Sequence, residues 1–494
     1  MIERLNTVGR TTSRTPTQAG LAIYLSADWF VVFLAFIACS ARAAEPAHRP
    51  NVLYLVADQW RAAATGYAGD PNVKTPHLDN LAAQSVNFTR AVSGCPVCSP
   101  HRASLMTGQF PLTNGVFMND VHLRDDATCL AEVFLAAGYD TGLIGKWHLD
   151  GRGRSNYIPP ESRQGFDYWK VLECTHDYNH SFYYAGNDPT KLTWPGYDAI
   201  AQTQDAIQYI KGHTHGDKPF LLFVSWGPPH NPYQTAPQNY RAIYEPDKIE
   251  LRPNVPEKLH KKAQQDLAGY YAHCTALDDC VGVLLKTLDE TGLAGNTIVV
   301  FSSDHGAMLG SQGQDRKQRP WDESIRVPLL VRYPRDLGNT GRRLDAPINT
   351  PDLMPTLLAL ADLKCPDTVE GLDYSNYIRT GKNPPKDFAL ISCPAPFGEW
   401  SRSNGGREFR GVRTERFTYV RDLNGPWLLY DNQTDPFQQH NQVKAPDAAD
   451  DQKKLDLLLK RTLHDHHDEF LPADKYIARW GYKVDANGTV PYTP

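Results

Sequence analysis

From residue 51 onward, the chain alternates apolar runs rich in β-branched residues with helical patterns. Several of the runs are continuously hydrophobic, which is typical of strands that helices cover on both faces. The alternation predicts an α/β fold, with a large mixed, mostly parallel sheet sandwiched between helices. The five predicted strands span residues 51–57, 141–145, 220–226, 297–302 and 327–332.

Polar residues that can bind ligands follow four of these strands. They are Asp58 and Gln59, then Lys146 and His148, then His230, and finally Asp304 and His305. In open α/β sheets, ligands bind beyond the carboxyl ends of the strands. One polar residue at a strand end is common in a solvated loop, but the same placement after four strands indicates a functional site.

The pattern changes after this region. Residues 352–363 predict a closing helix, with Thr350 as its cap and Pro351 in its first turn. The segment 366–385 is rich in Pro, Gly, Asn and Asp, which is typical of a connection between domains.

Short alternating runs separated by turn residues characterise the rest of the chain. They span residues 388–392, 409–413, 417–420 and 427–430, and a helix is predicted over 453–470. This combination predicts a small antiparallel α+β subdomain. We therefore expect two domains, one at 49–365 that carries the predicted site and a C-terminal subdomain at 385–494.

The first 44 residues have the pattern of an export signal. Three arginines precede the apolar run 29–38, and small residues follow it at 41–44. The run has about half of the roughly 20 residues that a membrane span needs, which favours a cleaved signal peptide at 1–44 over an anchor. Export to the periplasm or the outside of the cell makes the export machinery an expected partner. Cys39 leaves a lipoprotein as the less favoured alternative.

Composition and charge narrow the classes of ligand. The formal net charge of −5 over 494 residues gives no electrostatic reason to expect nucleic acid as a partner. Any anionic ligand must therefore be bound by local cations. The eight cysteines that remain after removal of Cys39 are too widely spaced for a small disulfide scaffold. No second CxxC motif or histidine pair completes a zinc site.

The segment 94–108, GCPVCSPHRASLMTG, carries the most specific motif of the chain. Its CxxC spacing resembles a redox pair, but Pro96 and Pro100 interrupt the sequence on both flanks, which argues against such a pair. The segment instead resembles the Cys-x-Pro-x-Arg signature of the type I sulfatases, and the wider resemblance covers residues 50–440. The signature positions are Cys98, Pro100, Arg102, Thr107 and Gly108.

This resemblance implies an alkaline-phosphatase-like fold and hydrolysis of sulfate monoesters. It also implies that a dedicated maturase oxidises Cys98 to formylglycine, whose hydrated aldehyde is the nucleophile. Hard oxygen ligands favour Ca²⁺, with Mg²⁺ or Mn²⁺ as alternatives. Gln59 stands where many relatives have a second Asp. The cation ligands that the resemblance implies are Asp58, Gln59, the converted Cys98, Asp304 and His305.

Besides Arg102 of the signature, four further residues match the catalytic positions of that family: Lys146, His148, His230 and Lys317. We expect Arg102 to orient the nucleophile, and Lys146 and Lys317 to bind the sulfate oxygens. His230 is expected to protonate the departing alcohol. His148 is expected to remove a proton from the second hydroxyl, so that sulfate leaves and the aldehyde is regenerated.

The segment 166–198 is rich in aromatic residues, His, Asn and Asp. Aromatic faces stack on sugars and polar side chains bind their hydroxyls, so a sulfated carbohydrate is the expected substrate. The candidate contacts are His176, Asp177, Asn179 and His180. Alternatives are a phosphonate monoester or phosphodiester hydrolase and a choline-sulfatase-like enzyme, since both share the Gln after the first Asp. A secreted glycan-binding protein with an inactive site is a further alternative.

Overall fold

The computed structural model describes residues 49–216 and 218–492. The predicted signal peptide at 1–44, with Cys39, lies outside these residues. Across them, no helix combines the length and the hydrophobicity that crossing a membrane requires. The eight described cysteines are all free thiols.

The strands of the described chain form three sheets. They are β1 Asn51–Asp58, β2 Val86–Phe88, β3 Ala91–Val92, β4 Asp140–Lys146, β5 Tyr168–Leu172, β6 Phe182–Ala185, β7 Leu192–Thr193, β8 Phe220–Pro229, β9 Thr297–Ser303, β10 Arg326–Val327, β11 Leu329–Arg332, β12 Arg342–Leu344, β13 Ile348–Asn349, β14 Phe388–Cys393, β15 Phe409–Thr414, β16 Phe417–Asp422 and β17 Gly425–Asp431. The ten-stranded main sheet has the order β12-β2-β11-β9-β1-β8-β4-β5-β6-β7. Its five central strands, from β9 to β5, run parallel, which confirms the predicted fold class.

The fifth predicted strand, at 327–332, is wrong as a single element. Pro328 has no N–H to donate to a ladder, and the run divides there. β10 pairs with β3 in a separate three-stranded sheet, while β11 runs antiparallel to β9 in the main sheet. The other four predicted strands lie within β1, β4, β8 and β9.

Thirteen α-helices lie in the described chain. They are α1 Pro76–Ala82, α2 Cys98–Thr107, α3 Pro111–Asn114, α4 Leu130–Ala136, α5 Asp198–Gly212, α6 Gln238–Arg241, α7 His260–Glu290, α8 Asp322–Ile325, α9 Pro334–Leu337, α10 Leu353–Leu360, α11 Ser375–Thr380, α12 Ala449–Asp465 and α13 Ala473–Trp480. Successive side chains of β1 enter two separate cores, because side chains alternate across a strand. The main sheet is therefore buried on both faces.

The helix predicted over 352–363 is α10, and a 3₁₀ turn at Thr350–Asp352 precedes it. The cap of this turn is Asn349, and the prediction of Thr350 as the cap is wrong. The Asn349 side chain accepts a hydrogen bond from the backbone N–H of Thr350. The connection predicted at 366–385 contains the short helix α11.

The four-stranded antiparallel sheet β14–β17 forms the C-terminal part of the fold. Leucines of α12 cover one of its faces, at Leu455, Leu459 and Leu463. The other face packs on Trp321 and Ile325. Sequence reasoning did not predict α13, which follows α12.

Candidate active site

The carboxyl ends of β9, β1, β8 and β4 lie side by side, because these strands are parallel neighbours. Asp58 is the last residue of β1, Lys146 is the last residue of β4, and His230 directly follows β8. Asp304 directly follows β9, and Cys98 is the first residue of α2. Strand register and one helix start thus place residues from five parts of the chain at one edge of the sheet.

Four of the predicted cation ligands form one buried cluster. Ligand atoms of Asp58, Cys98, Asp304 and His305 all lie within 4.8 Å of one another. His305 Nε2 is 3.2 Å from Cys98 Sγ, and it is 3.4 Å and 3.5 Å from carboxylate oxygens of Asp58 and Asp304. None of the four side chains is more than 1% exposed, so the two carboxylates depend on nearby positive charge.

Gln59, the fifth predicted ligand, adopts the left-handed backbone conformation with φ 71°. Its backbone N–H donates to Asp304 Oδ1 at 3.0 Å, and its side-chain Nε2 donates to the Tyr233 hydroxyl at 3.1 Å. Its Oε1 is buried and accepts no hydrogen bond from any described residue. A buried oxygen without a donor beside two carboxylates fits a hard divalent cation such as Ca²⁺.

Three basic side chains surround the cluster. Lys146 Nζ lies 2.5 Å from Asp58 Oδ2, and Lys317 Nζ lies 3.2 Å from Cys98 Sγ. The Arg102 guanidinium donates to Asp304 Oδ2 from Nε at 3.2 Å and from the terminal NH2 at 3.0 Å. The site therefore holds fixed cations next to the cysteine, as binding of an anionic ligand requires.

The surrounding charges displace the pKa values of the cluster. Burial opposes ionisation of Asp58, but Lys146, His230, Lys317 and His305 together outweigh it and hold the pKa of that carboxyl well below its usual range. Burial and the neighbouring Asp58 raise the pKa of Asp304. Burial also opposes ionisation of Cys98, yet Lys146, Lys317 and His305 hold the pKa of the thiol well below its usual range. The position of Cys98 Sγ thus favours a negatively charged atom.

His230 contacts Lys317 at the mouth of this cluster. Its Nε2 lies 2.7 Å from Lys317 Nζ, and its Nδ1 lies 2.9 Å from the carbonyl oxygen of Asn231. Burial and the Lys317 ammonium hold the pKa of His230 well below its usual range. The geometry therefore assigns the proton of the neutral ring to Nδ1 and leaves Nε2 to accept from Lys317.

His148 belongs to a network that sequence reasoning missed. Its Nε2 lies 3.2 Å from Asp120 Oδ1, and the Arg154 guanidinium donates two hydrogen bonds of 2.8 Å to the same carboxylate. Burial lowers the pKa of His148, but the neighbouring Cys174 and the hydrogen bond to Asp120 raise it to about 9. Asp120 lies outside the helices and strands, so no strand-end pattern could have indicated it.

The four predicted substrate contacts occupy different surroundings. The His176 ring stacks on His230, with centroids 4.5 Å apart and planes 11° from parallel. Asp177 and His180 are exposed and pair with each other at 3.3 Å. The side chain of Asn179 donates to the carbonyl oxygen of Thr235 at 3.0 Å. Of the four, only His176 contacts a predicted catalytic residue in the described structure.

Comparisons with known proteins agree with this geometry. The sulfatase family model matches residues 50–363, and the model of the N-sulphoglucosamine sulphohydrolase C-terminal region matches residues 310–465. The chain is 47% identical over 450 residues to the ulvan-active sulfatase of Formosa agariphila, covering 90% of this chain and 87% of that protein.

Two solved structures are also similar. One comes from a Bacteroides thetaiotaomicron locus for metabolism of multiple glycosaminoglycans, with 29% identity, a TM-score of 0.77 and coverage of 87% of this chain and 99% of that one. The other is the phosphonate monoester hydrolase of Agrobacterium radiobacter, with 24% identity, a TM-score of 0.69 and coverage of 90% and 100%. At that identity the second similarity shows the fold alone.

The fold and the matched residues define a hydrolase of the alkaline-phosphatase-like superfamily. Within that class, the chain belongs to the sulfatase family, and its activity is sulfuric ester hydrolysis.

Proposed function

We propose that the protein is an exported sulfatase that removes sulfate esters from a sulfated polysaccharide, with formylglycine at position 98 as its nucleophile. The observation that carries the proposal is the placement of Cys98 at the start of α2, within contact of His305 and Lys317. A polysaccharide is supported by the similar protein of Formosa agariphila, which is named as active on ulvan.

In this proposal, Cys98 Sγ stands in for the hydroxyl oxygens of hydrated formylglycine. Conversion of the thiol by a maturase would supply a geminal diol, whose first hydroxyl attacks sulfur and whose second allows sulfate to leave. A thiol that carried out the reaction itself would form a thiosulfate ester with no such exit. Mass spectrometry of the tryptic peptide that contains Cys98 tests this step, and a peptide that is entirely thiol in active enzyme contradicts it.

Asp58, Gln59, Asp304 and His305 would hold a divalent cation, which we propose to be Ca²⁺. When bound, the cation would supply Lewis-acid polarisation of the sulfuryl oxygens and of the nucleophile. The unpartnered Oε1 of Gln59 supports this ligand set. Calcium content measured on purified protein and on a Gln59→Leu variant tests it. Equal calcium content in both proteins would remove Gln59 from the set.

The basic residues of the site would bind and orient the ester. Lys146 contacts Asp58 and Lys317 contacts Cys98, and we propose that both lysines bind sulfate oxygens of the ester. Arg102, fixed by two hydrogen bonds to Asp304, would orient the residue at position 98.

The two histidines would transfer protons in different steps, His230 to the departing alcohol and His148 from the second hydroxyl. An ester anion beside Lys317 favours protonation of His230, whose Nε2 would then donate to the departing alcohol oxygen. In its neutral form, with the proton on Nε2, His148 would accept the proton of the second hydroxyl through Nδ1, which is buried and makes no hydrogen bond to any described residue. Asp120 would hold the ring in that orientation.

Hydrolysis of phosphonate monoesters is the second candidate, because an enzyme with that activity shares the fold. Release of 4-nitrophenol from matched sulfate and phenylphosphonate esters compares the two activities. We expect kcat/KM to favour the sulfate ester, and ulvan oligosaccharides to release inorganic sulfate. Faster turnover of the phosphonate would establish the alternative. Binding of ulvan without turnover of any ester, in protein that carries formylglycine and calcium, would identify a glycan-binding protein instead.

A further inference from the structure

A second cavity, which we call the arginine cavity, shares no residue with the catalytic cluster. It has a volume of about 500 Å³ and is lined by residues next to β3, β10 and β12 together with residues of the C-terminal sheet. Five arginines and three acidic residues line it, so positive charge is in excess. The arginines are Arg90, Arg326, Arg343, Arg413 and Arg416.

One carboxylate on the wall of the arginine cavity is shared by two guanidinium groups. Arg413 donates two hydrogen bonds to Asp322, at 2.9 and 3.0 Å, and Arg326 donates one to the same carboxylate at 3.2 Å. Arg326 Nε is buried and has no acceptor among the described residues. Burial lowers the pKa of Arg326 despite the presence of Asp322, as expected where the positive charge is only partly compensated.

Arg343 adds a charge that acts on Asp345 through space without forming a direct pair with it. The side chain is exposed, and it makes no hydrogen bond or ion pair within the described structure. Arg90 and Arg416 line the same cavity, and each pairs with a single carboxylate, that of Asp345 and Asp431 respectively. The cavity therefore combines a free guanidinium on its rim with a partly compensated one in its wall.

We propose that the arginine cavity is a second binding site for the sulfate groups of an anionic polysaccharide, an inference that rests on the proposed function. Guanidinium groups present planar pairs of N–H donors that match the oxygens of sulfate. The volume lies in the range of about 300–1,000 Å³ that is typical of small-ligand sites. A free sulfate ion fills little of this space, which favours a sugar that carries the sulfate.

The arginine cavity lacks the cysteine, lysine and histidine side chains that the proposed mechanism uses. Its lining has no Ser, and the hydroxyl of its one threonine, Thr89, donates to Asp345 at 2.6 Å. Its role is therefore to retain the polymer while another part of the same chain occupies the catalytic site. Attachment at a second point raises the local concentration of further esters without changing the chemical step. The benefit applies to long substrates and is absent for small esters.

The test compares Arg343→Glu with Arg461→Glu as a matched control. Both arginines are exposed, neither makes a hydrogen bond or ion pair in the described structure, and Arg461 lies on α12 outside the cavity. Binding of ulvan is measured by calorimetry in full-length protein that also carries Cys98→Ala, which prevents turnover. We expect Arg343→Glu to weaken binding about tenfold and Arg461→Glu to change it less than twofold.

Two further measurements separate the possible outcomes. In protein with an unaltered Cys98, Arg343→Glu should leave kcat/KM for 4-nitrophenyl sulfate unchanged while lowering it for ulvan. Equal ulvan binding by the two variants would overturn the inference, as would binding of inorganic sulfate that depends on Arg343 while binding of ulvan does not. Arg343-dependent binding of ulvan by a protein that hydrolyses no sulfate ester would refute the proposed function and leave the cavity as a glycan-binding site.

Discussion

Arg102 with Asp304 and Arg410 with Asp468 are two buried arginine–aspartate pairs in different regions of the chain. In the second pair, Arg410 donates to Asp468 from both Nε and a terminal nitrogen, and Tyr476 donates its hydroxyl to the same carboxylate. The single positive charge of Arg410 is balanced by the single negative charge of Asp468, and each polar atom of the pair has a hydrogen-bond partner. Such a pair serves the fold.

The first pair lies among additional charges. Asp58, Lys146 and His305 crowd the same space, and Gln59 Oε1 is buried without a donor in the described structure. Burial of an ion pair therefore does not by itself mark a functional site. A cluster of surplus buried charges beside an unpartnered buried oxygen marks one, because the fold alone gains nothing from that combination.

Cys98→Ala should produce the largest effect in the catalytic region. We expect turnover of any sulfate ester to fall by at least about 10⁴-fold, because the proposed nucleophile is lost. Cys95→Ala is the matched control, since Cys95 is also buried and lies three residues earlier, and this variant should keep most of the activity. Comparable activity of the two variants would place the nucleophile elsewhere.

Asp468→Ala should instead damage the fold. The variant leaves Arg410 buried without its partner, which should lower the free energy of unfolding by about 3–5 kcal/mol. Turnover per folded molecule should stay close to that of the parent. Denaturant unfolding together with active-site titration checks both statements, and a loss of turnover without a loss of stability would contradict the assignment of this pair to the fold.

His273 is a buried titratable residue whose two ring nitrogens both have partners, like the polar atoms of the Arg410–Asp468 pair. Its Nδ1 lies 2.6 Å from the Tyr197 hydroxyl and its Nε2 3.3 Å from the Pro232 carbonyl, and burial lowers its pKa to about 4. As the pH falls, His273 becomes protonated near pH 6.5 in the unfolded chain but only near pH 4 in the folded chain. Its stabilisation is therefore complete above pH 6.5 and should fall by about 3 kcal/mol as the pH drops to 4. His273→Gln should reduce this dependence in denaturant unfolding measured across that range.

Of the four substitutions predicted in this section, Asp120→Asn should have the smallest effect. The change keeps the size of the side chain but weakens its hold on His148 and Arg154, and we expect kcat to fall about tenfold with little change in KM. Steady-state kinetics on 4-nitrophenyl sulfate measures the two constants separately. Asp126→Asn, at an exposed carboxylate, is the control and should leave both constants unchanged.

Sequence reasoning predicted the central sheet well because its strands are buried on both faces. Such strands read as continuous apolar runs, and four of the five predicted runs lie within single strands. The fifth run failed at Pro328, where the run of apolar residues hid a change of sheet. The boundary between the two predicted domains stays a prediction.

The candidate site was predictable where its residues follow strands or lie in the cysteine motif. Asp120 and Arg154 were missed because they lie outside the helices and strands; Asp120 contacts His148, and Arg154 contacts Asp120. The arginine cavity was missed for a different reason. Its arginines come from three separate parts of the sequence, at 90, at 326 and 343, and at 413 and 416, and the packing of the C-terminal sheet brings these parts together.

The burial of Cys98 limits the time at which a modifying enzyme can reach its thiol. The side chain is 1% exposed, and His305 and Lys317 contact it from segments more than 200 residues further along the sequence. A modifying enzyme cannot reach the thiol once those segments have arrived. If Cys98 is the proposed formylglycine precursor, folding and maturation compete for the same cysteine, and each molecule that folds first is left without the proposed nucleophile.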